Sequence, residues 1–173
     1  MLFHKLKKIL FLLLLCSVSS FALAQDALQW MNIEEAEAAC KKKPRKIFVD
    51  VYTDWCGWCK KMDQSTFRDS LVKKYAAEKF YAVKLNAESR ENIIFRDKVF
   101  RFNESMRAHD LAVMFLSGEL SYPGIVFLDE KLQPFQTVGG FSDPARFNMM
   151  LHYFGENAYK KKSMNDYSQA FKP

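Results

Sequence analysis

Residues 55–60 read Trp-Cys-Gly-Trp-Cys-Lys and place two thiols three residues apart. Directly upstream, residues 46–52 (Lys-Ile-Phe-Val-Asp-Val-Tyr) are nearly continuous in apolar character, which is typical of a strand covered on both faces. A helix that begins near Cys56 aims the free N–H groups of its first turn, and its dipole, at the Cys56 sulfur and so favours the thiolate. Cys59 lies one turn deeper on the same helix face, where it reaches a mixed disulfide on Cys56. The pattern therefore predicts Cys56 as nucleophile and Cys59 as resolving thiol of a redox-active disulfide.

The chain resembles the thioredoxin superfamily, and more narrowly the bacterial secreted thioredoxin-related proteins with a Trp-Cys-Gly-Trp-Cys-Lys site followed by Lys-Met. The resemblance covers about residues 30–155 and implies an α/β fold with a central mixed β-sheet flanked by helices. An enlarged segment between Asn86 and Tyr122 departs from the minimal fold. The other landmarks are a buried aspartate at Asp50, a lysine-bearing strand at 83–86, a cis-proline at Tyr122-Pro123 and late glycines at 139–140.

The resemblance assigns roles to residues outside the cysteine motif. Asp50 lies in a buried apolar run, where desolvation raises a carboxyl pKa, and it takes the role of proton acceptor for Cys59. The alternative is an aspartate that points outward from a strand edge. Lys84 on the neighbouring strand is expected to tune Asp50, with a plain exposed strand lysine as the alternative. Tyr122, next to Pro123, is expected to offer backbone groups to an extended substrate strand.

The aromatic residues around the motif predict a rim for partner binding. Trp55 is expected to pack against the strand, and Trp58, beyond Gly57, to be exposed and contact partners. Because residue 58 is not proline, its backbone N–H is also available to the Cys56 sulfur.

The amino terminus has the pattern of a cleavable signal peptide. Lys5, Lys7 and Lys8 precede an apolar core that is too short to span a bilayer, and a small-residue site follows before Gln25. Cleavage is expected between Ala24 and Gln25. Lipidation at Cys16 is disfavoured because Leu15 precedes it instead of a small residue.

We therefore expect three segments: a signal peptide at 1–24, a thioredoxin-like domain at 25–155 with an insertion at about 87–119, and a tail at 156–173 that packs on the domain. Helix signals place a first helix at 33–42, and two apolar arms about a charged centre predict a hairpin within 93–102. Asn103 is predicted to cap the helix that follows the hairpin.

Charge and cysteine usage exclude several classes of function. The formal net charge is +6, half of it from the signal lysines, which gives no case for nucleic-acid binding. A zinc site is disfavoured because His109 and His152 stand alone and no second Cys-x-x-Cys exists. Covalent haem attachment would need histidine where Lys60 stands. Cys40 is left over and is expected to be a small buried hydrophobe, with a regulatory thiol as the alternative.

The sequence thus predicts an exported, for instance periplasmic, thiol-disulfide oxidoreductase. It is expected to need neither metal nor cofactor, to be a monomer without membrane insertion after signal cleavage, and to exchange disulfides with client proteins and an unidentified redox partner. The alternative is a thioredoxin-fold binding module that recruits a partner through its insert with little redox turnover.

Overall fold

The computed structural model describes residues 28–172 and places nine strands and six α-helices within them. The strands are β1 (Trp30–Met31), β2 (Lys46–Tyr52), β3 (Phe80–Asn86), β4 (Ile93–Phe95), β5 (Lys98–Phe100), β6 (Phe102–Asn103), β7 (Ala108–His109), β8 (Gly124–Leu128) and β9 (Pro134–Gly139). The helices are α1 (Ile33–Lys42), α2 (Gly57–Gln64), α3 (Ser70–Lys79), α4 (Asp110–Phe115), α5 (Pro144–Gly155) and α6 (Met164–Ala170).

Five strands form a mixed sheet in the order β1-β3-β2-β8-β9. Strand β2 pairs in parallel with β3 and antiparallel with β8, so it lies at the centre. Six of its seven residues are buried, as its continuous apolar pattern predicts. The carboxyl end of β2 leads directly to the cysteine motif, and the sheet thereby fixes where the motif lies.

Each face of the sheet carries its own hydrophobic cluster. On one face, Phe48 packs with Phe67, Phe147 and other aromatic side chains from the segment around α2, α3 and α5. On the other face, Val49 and Val51 belong to a cluster completed by α1, α4 and the hairpin. Alternate residues of β2 thus serve opposite cores, because successive side chains of a strand point to opposite faces.

The predicted hairpin is confirmed as β4 and β5, joined at Arg96 and Asp97, which both have positive φ (51° and 61°). Two carboxylates of α1 hold it from the side: Glu34 accepts the N–H of Ile94, and Glu37 accepts that of Arg96, each at 2.9 Å. These bonds satisfy the N–H of Ile94 in β4 and the N–H of Arg96 in the turn, which would otherwise lack partners.

The first helix is confirmed at its predicted bounds, and side chains cap both α1 and α3. Asn32 and Glu35 form a reciprocal capping box on α1, and Asp69 caps α3. The prediction for Asn103 is wrong: the helix after the hairpin begins at Asp110, and the side chain of His109 caps it. Asn103 lies instead in β6, paired with Ala108 of β7.

The structure describes the segment that follows α5 but not the predicted signal peptide. The predicted signal peptide and its cleavage site lie outside the described residues. Beyond α5, the aromatic side chains of Tyr159, Tyr167 and Phe171 pack against the first cluster, and α6 lies along α5. Within residues 28–172, no helix is long and apolar enough to cross a membrane.

The hairpin offers a test of how firmly the insertion is part of the core. Phe95 is 1% exposed and packs edge-on against Phe115, whereas its neighbour Ile94 is 53% exposed. Phe95→Ala should lower the free energy of unfolding by about 3 to 5 kcal/mol, the usual cost of emptying a phenylalanine site. Ile94→Ala, the matched control, should change it by less than about 0.5 kcal/mol. Urea unfolding of both variants measures this, and equal effects would show that the hairpin does not share the core.

Candidate active site

The cysteine pair lies where β2 meets α2. Cys56 is the N-cap of the helix, and its sulfur accepts a hydrogen bond from the Cys59 N–H at 3.1 Å. The two residues form a disulfide with an S–S distance of 2.08 Å, and both are buried. The sequence had drawn attention to the Trp58 N–H, but the bond that the structure places on the Cys56 sulfur comes from Cys59, one residue further into the turn.

Asp50 projects from the centre of the sheet and is fully buried. In the parallel register it lies directly opposite Lys84 of β3, and the Lys84 ammonium donates to its Oδ2 at 2.6 Å. Oδ1 is buried with no hydrogen-bond partner among the described residues. Burial raises the pKa of Asp50 to about 6, and the Lys84 charge offsets only part of that rise. This carboxyl therefore titrates close to neutral pH.

The Lys84 ammonium is held by more than Asp50. It also pairs with Asp63 of α2, and it lies about 5 Å from the rings of Trp30, Tyr52 and Phe67. Burial lowers the pKa of Lys84, but the two carboxylates outweigh it and the net shift is upward. Lys84 is thus an enclosed, charged side chain, and the alternative of a plain exposed strand lysine is wrong.

Asp63 is one of the site residues that were not predicted from the sequence. A signal was present, because Asp63 follows Cys59 by four residues on the same helix and so lies on the same face. Its partner Lys84 is 21 positions away, and only the folded sheet brings the two together. Asp63 and Lys84 line a cleft of about 580 Å³ together with Leu28, Trp30 and Phe67.

An aromatic rim surrounds the disulfide, and one prediction about it is wrong. Trp55 does not pack against the strand but is 66% exposed, because its ring is held elsewhere. Its Nε1–H donates to Glu88 at 3.0 Å, and the ring meets Tyr122 edge-on at 6.0 Å. Glu88 was not identified from the sequence, since it lies 33 residues from Trp55 in a loop.

Trp58 is exposed as predicted, with 56% of its surface accessible. Its ring contacts Phe141 at 5.2 Å, and the ammonium of Lys61 lies over both rings at 5.0 and 5.2 Å. Between the two tryptophans, a Cβ on Gly57 would have no atom within 4 Å. The surface between Trp55 and Trp58 is therefore open.

Tyr122 and Pro123 are joined by a cis peptide bond immediately before β8. The carbonyl of Pro123 accepts the N–H of Gly140 at 2.8 Å, which ties this loop to the end of β9. Pro123 is buried and Tyr122 partly exposed, at the same edge of the sheet as the cysteines.

The remaining candidates lie away from this site. His109 is buried, with Nε2 on the carbonyl of Glu91 and Nδ1 accepting from Leu111, while His152 stacks on Tyr75. Cys40 is a buried free thiol. Across residues 28–172, no three His, Cys, Asp or Glu side chains are grouped to hold a metal ion.

The chain is similar in sequence to known proteins. A family model described as "Thioredox_DsbH: Protein of unknown function, DUF255" matches residues 14–162. The thiol:disulfide interchange protein DsbD of Salmonella typhi is 31% identical over 123 residues, which are 70% of this chain and 18% of that protein. The chain therefore spans less than a fifth of that relative.

Solved structures agree on the architecture. A DsbH oxidoreductase superposes with a TM-score of 0.55 at 21% identity and covers 84% of this chain and 98% of its own. A thioredoxin from Thermus thermophilus superposes with a TM-score of 0.57 at 19% identity. The match covers 74% of this chain and 87% of the thioredoxin. The predicted thioredoxin-like fold is confirmed.

The raised pKa of Asp50 predicts a pH-dependent gain in stability for Asp50→Asn. Between about pH 4 and 6 the folded state holds a proton at Asp50 that the unfolded state has released, so the parent loses stability as the pH rises through this window. At pH 7 the disulfide form of Asp50→Asn should be more stable by up to about 3 kcal/mol, and the gain should vanish near pH 4. Urea unfolding at a series of pH values tests this, with exposed Asp54→Asn as control. A gain that is the same at every pH would contradict it.

Because Lys84 pairs with both Asp50 and Asp63, we expect Asp63 to help keep the pKa of Asp50 high. The Asp63 charge itself raises the pKa of Asp50, and it also draws on the same ammonium. In Asp63→Asn, the pKa of Asp50 should fall below about 6. Carboxyl ¹³C NMR titration of the disulfide form measures this, and an unchanged or higher Asp50 pKa would refute the argument.

Proposed function

The chain belongs to the Thioredox_DsbH (DUF255) family, and from that premise we propose that it is a thiol-disulfide oxidoreductase that acts through Cys56 and Cys59 on proteins of the cell envelope. The observation that carries the proposal is the position of the Cys56 sulfur at the N-cap of α2. This sulfur is disulfide-bonded to Cys59 and also accepts a hydrogen bond from the Cys59 backbone N–H. A thiolate at this position gains from the helix dipole and from that N–H donor.

In the reducing direction the reaction has two steps. The Cys56 thiolate attacks a client disulfide, a bond forms between the two sulfurs, and the other client sulfur leaves as a thiolate. Cys59 then attacks the Cys56 sulfur of the mixed disulfide, which releases the second client thiolate and forms the Cys56–Cys59 bond. The client gains two electrons, and the protein's dithiol loses them.

Asp50 is proposed to take the proton that Cys59 loses in the second step. A carboxyl with a pKa of about 6 is poised for this role near neutral pH. Lys84, held by both Asp50 and Asp63, is proposed to position and tune it. Tyr122 and Pro123, with Trp55, Gly57 and Trp58, are proposed to position the client segment over Cys56.

The location and partners are part of the proposal. The lysine-rich, apolar amino terminus with its Ala24–Gln25 site supports export, and the name of the Salmonella typhi relative, a thiol:disulfide interchange protein, supports protein partners. We propose a periplasmic or equivalent exported location, a monomer, and client proteins that carry disulfides or thiols.

The proposal is tested by turnover and by trapping. The chain without residues 1–24 should reduce insulin with dithiothreitol as electron source, and Cys56→Ala should abolish this, whereas a pure binding module would show no cysteine-dependent turnover. Cys59→Ala should accumulate mixed disulfides with envelope proteins, because the second attack is lost while the first survives. Cys56→Ala is the matched control, and equal trapping by it would reverse the assignment of nucleophile and resolving thiol.

A further inference from the structure

The rim around the cysteines has two flanks of opposite charge. The first flank consists of Trp55, Tyr122 and Glu88; the second consists of Trp58, Phe141 and Lys61. Tyr122 packs with the cluster on one face of the sheet and Phe141 with the cluster on the other. The two flanks therefore lie on opposite sides of Cys56, with the open surface over Gly57 between them.

The acidic flank is built into the loop after β3. The Glu88 backbone N–H donates to the Asn86 side chain at 2.8 Å, and the Glu88 carboxylate holds the Trp55 indole. Asn86 also donates to the exposed Asp54 at 3.4 Å. Burial, and to a lesser extent the Glu88 charge, raises the pKa of Tyr122.

The cations nearest to Glu88 leave this flank acidic. Arg90 is paired with Glu104 and stacked on Phe102, and Arg107 lines the same depression of about 210 Å³ as Glu88. The carboxylates here are those of Glu88, Glu104 and Asp54, and they outnumber the two guanidinium groups of Arg90 and Arg107.

The basic flank is carried by α2. Lys61 follows Trp58 by three residues, so its ammonium lies over the exposed indole, and Lys60 beside it is also exposed. Asp63, the nearest acid on this helix, is engaged with Lys84. Lys61 thus presents its charge beside the open surface rather than to an internal carboxylate.

We propose that this groove selects extended polypeptide segments that carry an acidic side chain on one side of the reactive cysteine and a basic side chain on the other. The proposal rests on the function proposed above and names the class of client for the same site. In an extended segment, the cysteine and the residues two before and two after it point the same way, and the outer two are roughly 13 Å apart. The acid of the client pairs with Lys61, and its base pairs with Glu88 and Asp54.

Two peptides of equal composition test the proposal: Glu-Ala-Cys-Ala-Lys and Lys-Ala-Cys-Ala-Glu, each with its cysteine disulfide-bonded to an aromatic thiol. When the reduced protein attacks the peptide sulfur, the Cys56–peptide bond forms and the aromatic thiolate leaves, and its absorbance gives the rate. Each rate is divided by the rate of the same peptide with dithiothreitol, which removes differences in intrinsic reactivity.

At low salt, one charge order should react about three to ten times faster than the other, and the ratio should approach one in 1 M salt, where charges are screened beyond about 3 Å. Lys61→Glu combined with Glu88→Lys should invert the ratio. The matched control is Lys74→Glu with Glu78→Lys, which exchanges an exposed acid and base four residues apart on α3 and should keep the parent's ratio.

The proposal would be overturned if the parent reacted equally fast with both charge orders. It would also be overturned if Lys61→Glu combined with Glu88→Lys kept the parent's preference. If the double variant does not fold, Lys61→Gln decides, because it should reduce the preference of the parent. A neutral peptide, Gln-Ala-Cys-Ala-Gln, separates the two proposals. If it reacts with the parent and charge order has no effect, only the selectivity fails; if no peptide reacts, the oxidoreductase function fails.

Discussion

The site depends on a buried ion pair between adjacent strands. Asp50 and Lys84 face each other in the parallel register of β2 and β3, and the β2 residues on either side of Asp50, Val49 and Val51, are apolar. A shift of one residue would place the Asp50 carboxylate on the other face and leave Lys84 without it. Because Asp50 is fully buried, its charge depends on this partner, and the register that packs both cores also sets the electrostatic surroundings of Asp50.

Those parts of the molecule that depend on local sequence were predictable. The bounds of α1, the N-cap position of Cys56 and the strand at 46–52 follow from capping residues and apolar runs within about ten positions. The hairpin was predicted from its two apolar arms, although its anchoring to α1 through Glu34 and Glu37 was not, since those carboxylates lie about 60 residues from the backbone they bind.

The parts that could not be predicted depend on contacts between distant segments. Asp63 has a role only because α2 brings it to Lys84, and Trp55 is exposed only because Glu88 and Tyr122 hold its ring outward. The cap of α4 was misplaced because Asn103 is a preferred N-cap residue and His109 is not, whereas pairing between β6 and β7 keeps Asn103 in a strand and leaves His109 at the start of the helix. The short strand β1 has only two residues and no pattern of its own.

The cleft beside Asp63 and Lys84 is a surface separate from the aromatic rim. None of its lining residues belongs to the aromatic rim, so a client that covers Trp55 and Trp58 leaves the cleft free. That cleft is lined by Asp63 and by Lys84, whose ammonium contacts Asp50. In the proposed mechanism the client meets the cysteines at the rim, and the ion pair proposed to handle the proton has its own opening to the surface through the cleft. On that proposal, a bound client leaves open the side from which Asp50 would return its proton to solvent.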